Sequence, residues 1–346
     1  MADIGRIRKP RVTVKDLARE LGMSVSTVSR AFYNDAVIAP ETRERVLKHA
    51  AQIGYHPNPL ARGLITKSSR IIGVVVSDIT NPFYPEVLTS LTESIQAIDF
   101  NVMLVVTNPA RPEDDAVKVL LSYHPDVVII LAATLSSEAS AACRQAGTPV
   151  VFFNRHASDT HSFSVTCDNT LGGRVVADHL IGLGHGRLAF IAGRPDASTN
   201  VERWEGFSER CRERGLPLPV STEGRAFTYE DGYASALALL RQAPRPDALF
   251  CANDILAIGA MDAARRELGL RIPKDLSVVG FDDIAMASWP SHALTTMRQP
   301  VDLMIRSTVD LALSLSRDGD QEPAAKRIPG RLIERSTTRA ADGNAA

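Results

Sequence analysis

Two hydrophobic rhythms divide this 346-residue chain. Up to Gly54, apolar residues recur at helical spacing. Leu17, Ala18 and Leu21 form one stripe, Val25, Val28 and Phe32 a second, and Val46, Leu47, Ala50 and Ile53 a third. From Ile71 onward, continuous apolar runs alternate with amphipathic stretches. Strands are predicted at 71–76, 102–106, 127–131 and 150–153, separated by helices at 85–99, 113–123 and 137–146. After Asp168 the rhythm restarts, with helices at 171–183, 203–214, 231–242 and 256–268. Its strands are predicted at 187–192, near Ala226, at 248–251 and at 276–281. Continuous apolar strands between helices imply parallel sheets covered on both faces. Two such runs imply two α/β lobes, in which ligands bind beyond the carboxyl ends of the strands.

Local signals sharpen the first segment. Thr13 is a good N-cap with Asp16 at the third helical position, and Gly22 is a helix stop. Ser24 offers a second N-cap, and Ala18 is small where two helices cross closely. Pro40 and Glu41 suit the start of a third helix, which Gly54 ends. Residues 13–30 therefore read as a helix-turn-helix, the alternative being ordinary helices of a bundle. Charge favours the former. Residues 1–70 hold 13 Lys and Arg against 6 Asp and Glu, a surplus of seven positive charges. The whole chain carries −1, so the rest carries −8. That asymmetry is expected of a chain whose amino-terminal part faces phosphates.

The remaining composition mostly excludes. The N-terminus has no apolar stretch of signal-peptide type, and no apolar run reaches membrane-spanning length, so a cytoplasmic protein is expected. Cys143, Cys167, Cys211 and Cys251 are scattered and read as reduced, buried thiols. No metal and no cofactor is expected. Between the two regions, residues 57–69 read as a hinge linker whose prolines break the third helix. Residues 60–64 are nearly helical, weakened by Gly63, a segment that binding can order.

With these elements in place, the sequence resembles the LacI/GalR family of bacterial transcription regulators. The landmarks run along nearly the whole chain: Thr27-Val28-Ser29-Arg30, Gly54-Tyr55-x-Pro57-Asn58, Ala61-Arg62-x-Leu64, and Asp78-Ile79-Thr80-Asn81-Pro82-Phe83. They continue with Asp168-Asn169 before Gly172-Gly173, Leu183-Gly184-His185, Arg203-x-x-Gly206-Phe207 and Ala252-Asn253-Asp254. Gly280-Phe281-Asp282-Asp283 and Leu294-Thr295-Thr296-x-x-Gln299-Pro300 complete the series.

The resemblance implies an all-α helix-turn-helix DNA-binding domain (1–56) and an α/β two-lobed sensor domain (70–340) like periplasmic sugar-binding proteins. The first lobe would span about 70–167 and 296–325, the second about 168–293 and 326–338, and 339–346 would be a disordered tail. A homodimer would place each recognition helix in a major groove of palindromic operator DNA. Val25, Ser26 and Arg30 then look like base-facing side chains, Arg30 able to fork onto guanine. The alternative packs Val25 in the core and leaves Arg30 on a phosphate. Ser24, Thr27 and Asn34 would position the backbone, and Thr13, Ser29, Tyr55, Asn58 and Arg62 are further DNA-binding candidates. Leu64, with Ala61 beside it, would wedge into the minor groove, or else pack on the α/β body. The tail lacks the leucine heptads of a tetramerising segment, so a dimer is expected.

By the same resemblance, a small-molecule effector would lie between the lobes, held by Phe83, Tyr84, Asn154, Arg155, Arg203, Phe227, Asn253 and Asp282. Arg, Asn and Asp beside an aromatic plane suit a sugar's hydroxyls and apolar face. Aspartate is common at the Asn154 position in sugar-responsive relatives; Asn154 followed by Arg155 leaves room for a sugar acid or another anion, unless Arg155 is only a rim charge. Asp282-Asp283 lacks a third spaced carboxylate, which argues against a metal site. The expected function is repression of transcription relieved by an inducer. A ligand-corepressed regulator of non-sugar metabolism is the alternative. Two other classes fit worse. A cofactor-dependent enzyme would need a glycine-rich phosphate loop where Ser77-Asp78-Ile79-Thr80-Asn81-Pro82 stands. A transport solute-binding protein would not carry the basic amino-terminal unit.

Overall fold

The computed structural model describes residues 12–32, 37–57, 68–77, 79–107, 112–131, 136–156, 162–317 and 321–340. The chain falls into two compact units, Met1–Ser69 and Arg70–Ala346.

In the first unit, helices α1 (Val14–Leu21), α2 (Val25–Ala31) and α3 (Pro40–Ile53) share one core. Leu17 and Ala18 of α1, Val28 and Ala31 of α2, and Val46 and Ala50 of α3 are buried in it. The expected capping box is formed: Thr13 Oγ1 accepts from the Asp16 N–H, and Asp16 accepts from the Thr13 N–H. Gly22 ends α1 at φ +63°, where glycine carries no steric cost. Ser24 Oγ then accepts from the Thr27 N–H at 3.1 Å and starts α2. Replacing Ser24 with alanine removes that cap and is expected to cost about 1 kcal/mol. Faster hydrogen exchange of the α2 amides would report it; unchanged protection would refute the capping role. Val25, 41% exposed, and Leu47 depart from the apolar stripes read in the sequence. Leu47 fits the helical period of α3 yet is 43% exposed, because α3 buries only the narrow stripe of Val46 and Ala50.

The second unit holds two six-stranded sheets. The first sheet orders β11-β5-β4-β3-β1-β2, from β1 (Ile71–Val76), β2 (Asn101–Val106), β3 (Val127–Leu131), β4 (Val150–Phe153), β5 (Phe163–Cys167) and β11 (Ala325–Ile328). The second orders β12-β10-β9-β8-β6-β7, from β6 (Leu188–Ile191), β7 (Val220–Ser221), β8 (Ala248–Cys251), β9 (Ser277–Asp282), β10 (Thr295–Arg298) and β12 (Arg331–Ile333). All neighbours pair parallel except β10 and β12. Helices α4 (Phe83–Gln96), α5 (Glu113–Leu121), α6 (Ser137–Gln145) and α11 (Val301–Arg317) accompany the first sheet. Helices α7 (Asn169–Gly182), α8 (Ser198–Glu213), α9 (Tyr229–Leu240) and α10 (Asp254–Leu268) accompany the second.

Three expectations need correction. The second lobe extends through β10, which pairs with β9, so the chain crosses back after Arg298 rather than near Leu294. Ala325–Ile328 pairs with β5 in the first sheet, so the last crossing follows Ile328 rather than Lys326. Arg339, placed in a disordered tail, is anchored: its guanidinium lies against the His185 ring and donates to the ring nitrogen that carries no proton, and its N–H donates to Ser277 Oγ. The crossings converge. A side chain on Gly330 would meet the Arg298 carbonyl at 2.8 Å and Cys167 Sγ at 3.2 Å.

Candidate functional site

Helix α2 turns Val25, Ser26 and Arg30 outward together. At 100° per residue they fall within about 140° of arc, opposite buried Val28 and Ala31. Val25 is 41% exposed, which removes the reading that packs it in the core. Ser26 and Thr27 hydroxyls lie 2.9 and 2.8 Å from Ser24 Oγ, and Arg30 Nε donates to the Ser26 carbonyl. Tyr55 packs edge-on against Phe32, and Ser29 is half-buried. Asn34, Asn58, Ala61, Arg62 and Leu64 lie outside the described residues.

In the second unit the predicted cleft residues sit at the carboxyl ends of parallel strands. Asn154 and Arg155 follow β4, Asn253 follows β8 and Asp282 ends β9. This is where open α/β sheets place their ligands. Asn154, Asp282 and Asp283 hold positive φ of 65°, 116° and 60°, backbone strain of the kind that collects at functional sites. Arg203 is brought in by close helix packing: a Cβ on Gly173 would strike the Arg203 carbonyl, and one on Gly206 the Thr170 carbonyl, each near 2 Å. Its guanidinium lies 3.6 Å from the centroid of the Phe281 ring. It donates to Asn169 Oδ1 at 2.9 Å, to the Ala252 carbonyl and to Asp282 Oδ1 at 3.3 Å. Gln299 Nε2 donates to the same Asp282 oxygen at 2.7 Å. Burial pushes the Asp282 carboxyl up, with Arg203 and then Gln299 acting against it.

The first lobe contributes an aromatic corner. Phe83 and Tyr84 meet edge-to-face, and Asn154 Nδ2 donates to the Tyr84 hydroxyl. Arg155 is only 3% exposed, so it is no rim charge; its guanidinium lies 5.7 Å from the Phe227 ring centroid. Gly193 makes room for that ring, since a Cβ there would overlap Phe227. Asn253 spends its Oδ1 capping α10 through the Leu256 N–H. A cavity of about 420 Å³ borders Phe83, Asp282, Asp283, Arg298 and Gln299; Tyr84, Asn154, Arg155, Arg203, Phe227 and Asn253 do not line it. Asn154 Oδ1 and Gln299 Oε1 are buried acceptors with no hydrogen-bond partner among the described residues, placed to accept from a ligand's hydroxyl or amine donors. Among the described residues no group of three His, Cys, Asp or Glu is arranged to hold a metal ion.

Several contributors escaped the sequence reading. Asp168 caps α7 through the Leu171 N–H, and Asn169 beside it orients Arg203. Gln299 and Glu202 were not singled out for the cleft. Asp254, fully buried, receives the Thr296 hydroxyl and the Ile284 N–H and so fixes the turn that carries Asp282 and Asp283. Burial, then the neighbouring Asp282, pushes its carboxyl well above the usual range. The paired motif Ala252-Asn253-Asp254 was its only sequence signal.

Comparison with known proteins agrees with this geometry. Residues 13–58 match the model for bacterial regulatory proteins of the lacI family, and residues 177–338 match a periplasmic binding protein-like domain. The chain is 30% identical to the HTH-type transcriptional repressor CytR of Escherichia coli (strain K12), covering 95% of this chain and 96% of that protein. It is 28% identical to the HTH-type transcriptional repressor PurR of Vibrio atlanticus, covering 94% and 98%. It superimposes on the lac repressor dimer bound to operator and the anti-inducer ONPF with a TM-score of 0.85, at 28% identity, covering 96% of this chain and all of that one. A transcriptional regulator CelR–cellobiose complex matches with a TM-score of 0.71, at 28% identity, covering 94% and 100%. Helix-turn-helix and two-sheet α/β unit thus agree with relatives matched over nearly their whole length, and the chain belongs to the lacI family of bacterial regulatory proteins.

Proposed function

We propose that this protein is a homodimeric repressor that reads one operator half-site per subunit with α2 and is switched by a small polar molecule held between its lobes. The observation that carries the DNA half is the outward face of Val25, Ser26 and Arg30 on a helix whose other face is buried. Arg30 supplies a guanine-directed fork and Val25 a contact for a thymine methyl. Ser24, Thr27 and Thr13 hold the helix in register against the phosphates. The proposed setting is the cytoplasm, in keeping with the absence among the described residues of any helix long and apolar enough to cross a membrane. No catalytic role is assigned to any residue.

Substituting Arg30 with alanine is expected to weaken specific operator binding by about 1–3 kcal/mol, roughly 5- to 150-fold. Binding to non-specific DNA at the same salt should change far less. Equal losses on both DNAs would assign Arg30 to phosphate alone.

On the ligand side, the arginine–aspartate pair, the two orphaned amide oxygens and the Phe83, Tyr84 and Phe227 rings support a sugar, a sugar acid or a similar ring bearing several hydrogen-bond donors. Its binding relieves repression in this reading, by favouring one lobe arrangement over the other. A thermal-shift panel of sugars, sugar acids and nucleosides identifies it, since a ligand stabilises the fold by mass action.

A further inference from the structure

Glu202 is a glutamate that a surface helix would ordinarily show to water, yet it is buried on α8 beside Arg203. Its partners come from both lobes. Oε1 receives Arg327 of β11 at 2.9 Å and lies 3.1 Å from His156 Nε2, both on the first lobe. Oε2 receives Asn169 Nδ2 at 3.0 Å, on the second lobe. One turn earlier on α8, Ser198 Oγ accepts from the His156 N–H. The segment after β4 that carries Asn154 and Arg155 is therefore tied down through His156 to the first two turns of α8.

The same carboxylate reaches into the cleft. Asn169 gives its amide hydrogens to Glu202 and to the Cys167 carbonyl, which turns its Oδ1 toward Arg203 Nε. Burial pushes the Glu202 carboxyl up, but the hydrogen bonds from His156 and Asn169 and the Arg327 charge outweigh it, so it titrates below its usual range. Charge-assisted bonds of this kind are short, directional and costly to break.

We propose that Glu202 is a positioning residue that clasps the two lobes together at the cleft and thereby sets their relative arrangement. The clasp rests on the reading of the cleft as the effector site only for its biological meaning; its geometry stands without it.

The test needs no effector. Cysteines replace Val119 on the first lobe and Leu218 on the second, which are 41% and 69% exposed. Both take spin labels in the full chain, and labelled chain is diluted with excess unlabelled chain to suppress distances between subunits. The native cysteines are buried, and burial pushes the thiols of Cys143, Cys167 and Cys211 up to about 11, 12 and 11, so they react slowly. In Glu202→Gln the interlobe distance distribution is expected to broaden and move by several ångströms. Arg327→Met, at a half-exposed position that folding tolerates, is expected to do the same, and the double variant to add little beyond the larger single effect. Distributions in both single variants matching that of the parent chain would overturn the clasp. Fully additive shifts would overturn it too, because Glu202 and Arg327 would then act separately.

Discussion

Replacing Arg203 with methionine is expected to destabilise the Arg70–Ala346 unit by about 3–5 kcal/mol at pH 8. Methionine keeps much of the aliphatic stem but removes the guanidinium that lies over Phe281 and opposite Asp282. A buried carboxylate left without its partner is far costlier than a missing surface bridge. The pH dependence follows from the shift already present. Burial holds the Asp282 carboxyl above its usual value, and Arg203 is the largest influence opposing that rise. Without Arg203 the folded-state value climbs further, while the unfolded value stays near that of an ordinary carboxylate. Between those two values the folded variant binds more protons than the unfolded one, so its stability recovers as the pH falls. The penalty in urea unfolding should therefore be fully present at pH 8 and shrink on acidification. Combining Arg203→Met with Asp282→Asn should restore most of it. A variant as stable as the parent at pH 8, or a double variant no better than the single, would show that the pair is not what the second lobe depends on.

Why Arg203 was legible and Glu202 was not is a matter of which signals are local. The helix-turn-helix announces itself within a few residues, because Thr13, Gly22 and Ser24 each satisfy or end a helix through neighbours three or four positions away. Strands such as Ile71–Val76 and Val127–Leu131 are apolar throughout because both faces are covered, and that too is visible in the sequence. Phe163–Cys167 and Ala325–Ile328 carry polar residues among few apolar ones. The pairing of these two strands with each other spans more than 150 residues, and no local pattern specifies it. The lobe crossings were misplaced for the same reason: Thr295–Arg298 is a strand only because β9 and β12 flank it.

The cleft divides along the same line. Arg203, Asn253 and Asp282 stand in motifs whose order along the chain matches the family. Asn169 and Gln299 also lie in such motifs, but their work is tertiary: one turns an amide toward Arg203, the other shares the oxygen of Asp282. Glu202 sits in a helix rich in charged residues, where a glutamate reads as solvated until His156, Arg327 and Asn169 are seen around it. Arg155 is the converse case, a charge that the sequence leaves open between cleft and rim and that the fold draws under cover.

The carboxyl-terminal anchor gives the other large expected effect, a loss of stability in acid centred on His185. This ring is almost fully buried between Ser277, Asp247 and Arg339. Burial, then the Arg339 charge, push its pKa down to about 4 despite Asp247. The unfolded chain takes up that proton near pH 6.5, so below that value the unfolded state binds more protons than the folded one. Stability is complete above about pH 6.5 and falls as the pH drops toward 4, by roughly 3 kcal/mol over the interval. His179, lowered by burial, pulls in the same direction, so variants must separate the two. His185→Gln is expected to be less stable than the parent at pH 7.5 but to lose less on going to pH 4.5. Arg339→Met removes the second cause of the shift while leaving the ring in place, so the His185 value should rise toward normal and the acid loss should again shrink. Urea midpoints for the three proteins across this range decide the matter: parallel curves would mean that the acid sensitivity lies elsewhere. Convergence toward low pH would mean that Arg339 is held to the second lobe by a histidine that must remain neutral.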